Sequence, residues 1–386
     1  MQTPLLSTTT TGADPAVAQP APIKRLLSLD TLRGFDMFWI MGGEEIFQAL
    51  VKTTSWSWAV VLADQFTHPK WNGFRAYDLI FPLFLFMAGV STPFSVGSRI
   101  DKGHDKTQIA RKIIARGLIL VILGIIYNNG LFVKAFEDTR FPSVLGRIGL
   151  AGMFAQLIYL YTRPRGQYIW FVGLLLGYWA AMMLIPVPGC GAGVLTMECN
   201  LASYIDRQLV PGHLYKTIHD PEGLFSTIPA ICNALLGIFA GTYLRTQHKP
   251  GNKKALQLLG VGVTFVVLGW LWNFVFPVNK NLWTSSFVLV TGGLSLTLLA
   301  TFYWIIDVKG FKGWTFFFTI IGMNSILIYL AGEFIDFGYA GRFFFGGLLH
   351  LSSSEAVHEV GAVLAMLAAK WAFLYFLYKK KTFLRV

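Results

Sequence analysis

Apolar runs of about twenty residues, the length a helix needs to cross the hydrocarbon core of a bilayer, recur along the whole chain. They lie near 34–50, 77–98, 111–131, 143–162, 168–186, 224–244, 256–276, 284–306, 315–336 and 359–378. Lipid offers backbone groups no water to bond, so only helices and closed barrels span it. The runs lack strict alternation, which selects helices. The expectation is an all-α integral membrane protein with about ten transmembrane helices. Only 13% of the 386 residues are charged, about half the share of a soluble domain. No internal repeat is evident, which counts against an inverted-repeat transporter.

The net charge is +12. Lys and Arg sit mostly in short loops between runs, and they alternate unevenly. Loops on the side of both termini hold nineteen, those on the other side nine. That bias predicts both termini in the cytoplasm, with His68 and the loop 187–223 outside. No folded soluble segment remains to read a nucleic-acid groove, so nucleic acid is excluded as a partner. Residues 1–24 are rich in Thr, Ala and Pro and read as a disordered tail; 25–386 form the membrane domain.

Cys190 and Cys199 share the outer loop, where an oxidising compartment favours a disulfide. Without a His or Cys partner set they make a poor zinc site, and no metal is expected. Cys232 lies within a span as a small core residue.

Ionisable groups inside spans usually face the bundle interior. In the first span, at 100° per residue, Arg33, Asp36 and Glu44 share a face. They read as a polar path across the membrane or as a structural ion pair of Arg33 with Asp30 or Asp36. His68 precedes the second span in "THPKWNG". An imidazole accepts and returns protons near neutrality. Asp78, ten residues on, could orient it if the loop folds back, and Asn72 and Trp71 offer neutral donors for an oxyanion. A lone loop histidine is more often a solvated surface residue. Glu222, Asn279 and Lys280 lie at the outer mouths of later spans, where Asp, Asn and Pro also serve as caps and turns. Asn324, within the ninth span, needs a partner for its amide.

Seven blocks run in order along most of the chain: "SLDTLRG", "WNGFRAYDLIFPLFLFMAG", "VLGRIGL", "YIDRQLV", "DPEGLFSTIPAI", "PVNKNLWTSS" and "GMNSILIY". Together they resemble the catalytic membrane domain of heparan-α-glucosaminide N-acetyltransferase and its bacterial relatives. None corresponds to that family's lumenal N-terminal domain. The resemblance implies a ten-span acyltransferase that moves acetyl from cytoplasmic acetyl-CoA to the amine of a terminal glucosamine on the far side. It implies a bacterial inner-membrane location with His68 facing the periplasm, an amino-sugar or glycosaminoglycan-derived acceptor, contact with membrane lipid, and a homodimer as a plausible state. It marks His68 as the catalytic histidine. It expects an asparagine where this chain has Glu44.

The site expected on these grounds has His68, Asn72, Asp78 and Glu44 as catalytic residues. Arg33, Arg116, Arg147 and Arg245 would bind the cofactor, with Arg147 also able to pair with Asp78 or Glu44. Trp71, Glu222, Asn279, Lys280 and Asn324 would bind the acceptor. A sugar O-acyltransferase and a sugar or organic-anion transporter are the alternatives.

Overall fold

The computed structural model describes residues 26–131, 135–246, 249–349 and 351–384. The tail expected at 1–24 lies outside the described residues. Among them the chain forms helices and no strand beyond two isolated bridges.

The chain opens with α1 (Leu27–Phe38), a π-helical turn (Trp39–Gly43) and α2 (Glu45–Thr53). Gly42 causes the break, with φ at 117°, a backbone conformation that side chains resist. Next come α3 (Ser57–Gln65), a 3-10 turn (Ala76–Leu79), α4 (Ile80–Thr92), a π turn (Pro93–Gly97) and α5 (Ser98–Asp101). Then follow α6 (Lys106–Asn129), α7 (Val144–Tyr161), α8 (Pro164–Leu184), α9 (Leu201–Leu209), α10 (Thr227–Arg245) and α11 (Gly251–Trp272). The rest comprises α12 (Ser285–Phe302) with its π extension (Tyr303–Val308), α13 (Thr315–Met323), α14 (Ser325–Phe334), α15 (Phe337–Leu349) and α16 (Glu355–Lys379).

Side-chain caps set several starts. Asp105, Ser143, Asn200 and Thr284 each accept a backbone N–H from the first turn of the helix that follows.

Among the described residues, seven helical segments are long and apolar enough to cross a membrane. An eighth arises if α13 and α14, bent by 70° at Asn324, count as one broken span. Helix also covers the other expected stretches, 34–50 as the interrupted α1–α2 and 111–131 as α6.

The segments divide by burial. Those containing α4, α10 and α12 are mostly enclosed by protein, whereas α8, α11 and α16 leave most of their apolar surface outside. Ile169, Val172 and Leu176 on α8 and Val263 and Val267 on α11 are exposed. Bands of this kind suit a hydrocarbon surrounding, and the chain is an integral membrane protein. Inside, α4 and α10 touch backbone to backbone. A Cβ on Gly89 would overlap the Ala234 carbonyl, and one on Gly237 would overlap that of Phe86. Small residues permit this approach, which replaces the hydrophobic drive absent in lipid.

Candidate active site

At one end of the bundle three loops converge. His68 lies in the turn after α3, and Asp78 in the 3-10 turn that leads into α4. Asp78 is fully buried, and its Oδ2 accepts the Arg75 N–H at 2.9 Å. Its Oδ1 lies 2.7 Å from Nδ1 of His68, whose side chain is half exposed. The ring of Tyr77 packs 5.0 Å from that of His68.

The second loop, between α11 and α12, brings Lys280. Its Nζ stands 2.9 Å from His68 Nε2, 3.3 Å from Nδ1 and 3.9 Å from Asp78 Oδ1. This loop is clamped to the first. The Gly73 N–H donates to the Val278 carbonyl at 2.9 Å, and Asn279 Nδ2 donates to Asn72 Oδ1 at 3.0 Å. Burial lowers the Lys280 pKa; the Asp78 and Glu222 carboxylates oppose that shift.

The third loop joins α8 to α10. Its Cys190–Cys199 disulfide closes a hairpin, with S–S 2.02 Å, and the Trp71 indole N–H donates to Leu195 within it at 2.8 Å. Arg140, from the connection between α6 and α7, donates to two acids later in this third loop, to Asp220 at 2.8 and 2.9 Å and to Glu222 at 2.6 Å. Burial opposes the charge on Asp220, but its hydrogen bonds from Arg140 prevail and hold its pKa below the usual carboxylate value. Glu222 has fewer such bonds, and burial pushes its pKa up.

These loops enclose a cavity of about 370 Å³. His68, Trp71, Asp78, Glu222, Lys280 and Asn281 line it, joined by Lys70, Arg140, Tyr215 and Lys216. An aromatic wall with charges of both signs suits a polar ring bearing an ionisable group.

A second cavity, of about 400 Å³, carries Arg33 and Arg116 together with Ser91, Ser95, Gln156 and Ser325. Arg33 donates to Ser91 Oγ at 3.0 Å and lies 3.6 Å from Asp30. A narrow apolar space of about 40 Å³ shares Phe84, Ile148 and Ile326 with this cavity. That space extends to Phe81, one turn along from Asp78.

No protein-family model matches the chain. It is 31% identical over 379 residues to heparan-alpha-glucosaminide N-acetyltransferase of Homo sapiens, a match covering 83% of this chain and 56% of the relative. The protein of that name in Mus musculus is 30% identical over 432 aligned residues, covering 97% of this chain and 63% of the relative. Both relatives carry one name, and the chain is similar to heparan-alpha-glucosaminide N-acetyltransferases. It spans less than two thirds of the length of these two relatives.

In this chain, His68, Asp78, Trp71, Glu222 and Lys280 meet in one cavity, and Arg33 and Arg116 in the other. The remaining expected residues lie elsewhere. Asn72 and Asn279 line neither cavity; their amides bond each other, and Asn279 Oδ1 also accepts the Leu282 N–H at 2.9 Å. They are loop struts. Glu44 lies behind Tyr77, whose hydroxyl donates to it at 3.2 Å. Asp36 is buried and lines neither cavity.

Arg147 is not beside Arg33 and Arg116, nor paired with Asp78 or Glu44. It is buried near the first cavity, donates to the Gly223 carbonyl at 3.1 Å and to Ser226, and packs over the Trp283 ring. Arg245 pairs with Asp101 rather than lining the Arg33 cavity. Asn324 ties the C-terminal segment down beside the Arg33 cavity through Thr382 and Leu384, at 3.0 and 3.1 Å. Sequence reasoning also passed over Arg140, Tyr215 and Lys216. Arg140 meets its acids across 80 residues of chain, a separation that no local pattern signals.

Proposed function

We propose that this chain moves acetyl across the membrane, from acetyl-CoA on the Arg33 side to the amine of a glucosamine-type sugar in the His68 cavity. The reading rests on one arrangement: a cationic cavity that shares a wall with a narrow apolar space, which reaches Phe81, one helical turn from Asp78 in the His–Asp cavity. The bundle would have ten spans with both termini cytoplasmic, following the loop charges. Arg33 and Arg116 would face CoA phosphates. The pantetheine arm, thin and mostly apolar, would follow the apolar space to bring the thioester to His68.

His68, oriented by Asp78, would accept a proton from the sugar amine as its nitrogen attacks the thioester carbonyl carbon. The carbonyl electron pair moves onto oxygen. As the intermediate collapses, the C–S bond breaks and the CoA thiolate takes the proton from His68. Amide and CoA thiol result, with His68 restored. Trp71 would stack on the sugar ring, and Glu222 would accept a hydrogen bond from its neutral amine.

The test is transfer from labelled acetyl-CoA to glucosamine by purified protein in sealed vesicles, each substrate on its own side. N-acetylated product without net sugar uptake is expected, with a loss of about 10²–10⁴-fold in folded His68→Ala. Sugar uptake without product would indicate a transporter, and acetylation at oxygen an O-acyltransferase. Full transfer by His68→Ala would defeat the assignment of His68. A trapped acetyl-enzyme would show that His68 carries acetyl instead of only a proton.

A further inference from the structure

We infer that Lys280 is a positioning residue for His68, its ammonium set against the ring face so that the ring stays neutral and Nε2, in the tautomer that Asp78 selects, can act as a base. This rests on the acetyl-transfer reading above and adds how the histidine is held ready for that reaction.

The argument follows from donor and acceptor inventories. A lysine ammonium has three N–H donors and no acceptor, and an ionised carboxylate has only acceptors. Asp78 Oδ1 lies 2.7 Å from Nδ1, so Nδ1 carries the hydrogen. With Nδ1 donating to the buried carboxylate, the neutral ring carries its lone pair on Nε2. Lys280 Nζ, 2.9 Å from Nε2 and 3.3 Å from Nδ1, lies over the ring face and not on that in-plane lone pair.

The same geometry sets the charge. Asp78 alone, at 2.7 Å, favours the imidazolium. A protonated His68 could not take a proton from an amine. Lys280, in contact with both ring nitrogens, repels that second charge. The other charged or titratable groups in or beside the cavity are Lys70 and Arg75 on the His68 segment, Tyr77, Arg140, and Tyr215, Lys216 and Glu222 on the third loop. None of these hydrogen-bonds the ring. Because Lys280 lies over the ring face, the in-plane lone pair of Nε2 is left for the sugar amine.

The decisive measurement is the pH dependence of acetyl transfer, compared among wild type, Lys280→Met and Lys280→Arg at saturating acetyl-CoA. Removing the ammonium lets Asp78 act unopposed. The acidic limb of the Lys280→Met profile is therefore expected to move up by about one pH unit or more, with activity recovering at high pH. Lys280→Arg keeps the cation and is expected to leave the limb near its wild-type position. A Lys280→Met profile reduced in height with its limb unmoved would overturn the inference.

The histidine is also read directly, by NMR titration of ring-labelled protein with His68→Gln used to assign the signal. An upward shift of the His68 titration in Lys280→Met supports the inference, and an unchanged titration defeats it. This readout holds even if wild type transfers no acetyl, an outcome that would sink the acetyl-transfer reading alone.

Discussion

The indole N–H of Trp71 donates to the carbonyl of Leu195, inside the hairpin closed by Cys190 and Cys199. One wall of the His68 cavity is thus fixed by a covalent link that lies outside the chemistry.

Breaking that link should loosen the acceptor side and spare the base. A disulfide closing so short a loop contributes about 2–3 kcal/mol of local order. For a Cys190→Ser, Cys199→Ser double variant, the acceptor KM should rise several-fold while kcat falls by less than about threefold. An unchanged acceptor KM would show that Trp71 holds its place without the hairpin.

Asp78→Asn should reduce kcat by about 10³–10⁴-fold, because an amide can donate to Nδ1 and so favour the wrong tautomer. Asn could still accept the Arg75 N–H that Asp78 caps, so the fold should persist. Steady-state kinetics beside a thermal melt in detergent check both halves. Near-wild-type turnover would exclude the orienting role.

Arg116→Met should weaken CoA and leave the acceptor alone. Losing one charge-assisted phosphate contact costs about 1.5–3 kcal/mol, or roughly ten- to a hundredfold in Kd. Calorimetric titration of CoA reads this without turnover. Unaltered CoA affinity in both Arg116→Met and Arg33→Met would place the cofactor elsewhere.

His219 makes the third loop acid-sensitive. It is buried, with Nδ1 3.0 Å from Ser203 Oγ, and burial lowers its pKa to about 4. The unfolded loop takes up a proton near pH 6.5, while the folded one resists until about pH 4. Stability from this group is therefore complete above pH 6.5 and lost as pH falls through that window, by up to about 3 kcal/mol. Protection factors across α9, corrected for the intrinsic pH dependence of amide exchange, should fall between pH 7 and pH 4.5, and His219→Gln should flatten the dependence. Equal pH dependence in the two proteins would rule this out.

Gly89→Ala should destabilise the bundle by about 1–3 kcal/mol through overpacking, since the new methyl meets the Ala234 backbone carbonyl, which cannot rotate away. A lowered melting temperature with unchanged KM values is the expected signature.

The sequence by itself determined the solvent. Apolar runs of span length with basic residues between them leave a helical membrane protein as the outcome, because backbone hydrogen bonding in lipid is unforgiving. It also pointed to His68 and Asp78, whose ten-residue spacing needs only one loop to fold back.

What the tertiary structure decided is which distant groups meet. Lys280 reaches His68 across 212 residues, and Arg140 reaches Asp220 across 80. Nothing in local composition distinguishes these cations from ordinary loop charges. The same holds in reverse for Asn324, Asn72, Asn279 and Arg147. Each is a polar group near a helix end or break, and periodicity cannot tell whether such a group meets a ligand or the backbone of another loop. That choice depends on where helix packing places the loop ends, through contacts such as the Gly89 and Gly237 crossings, and those distances exist only once the chain has folded.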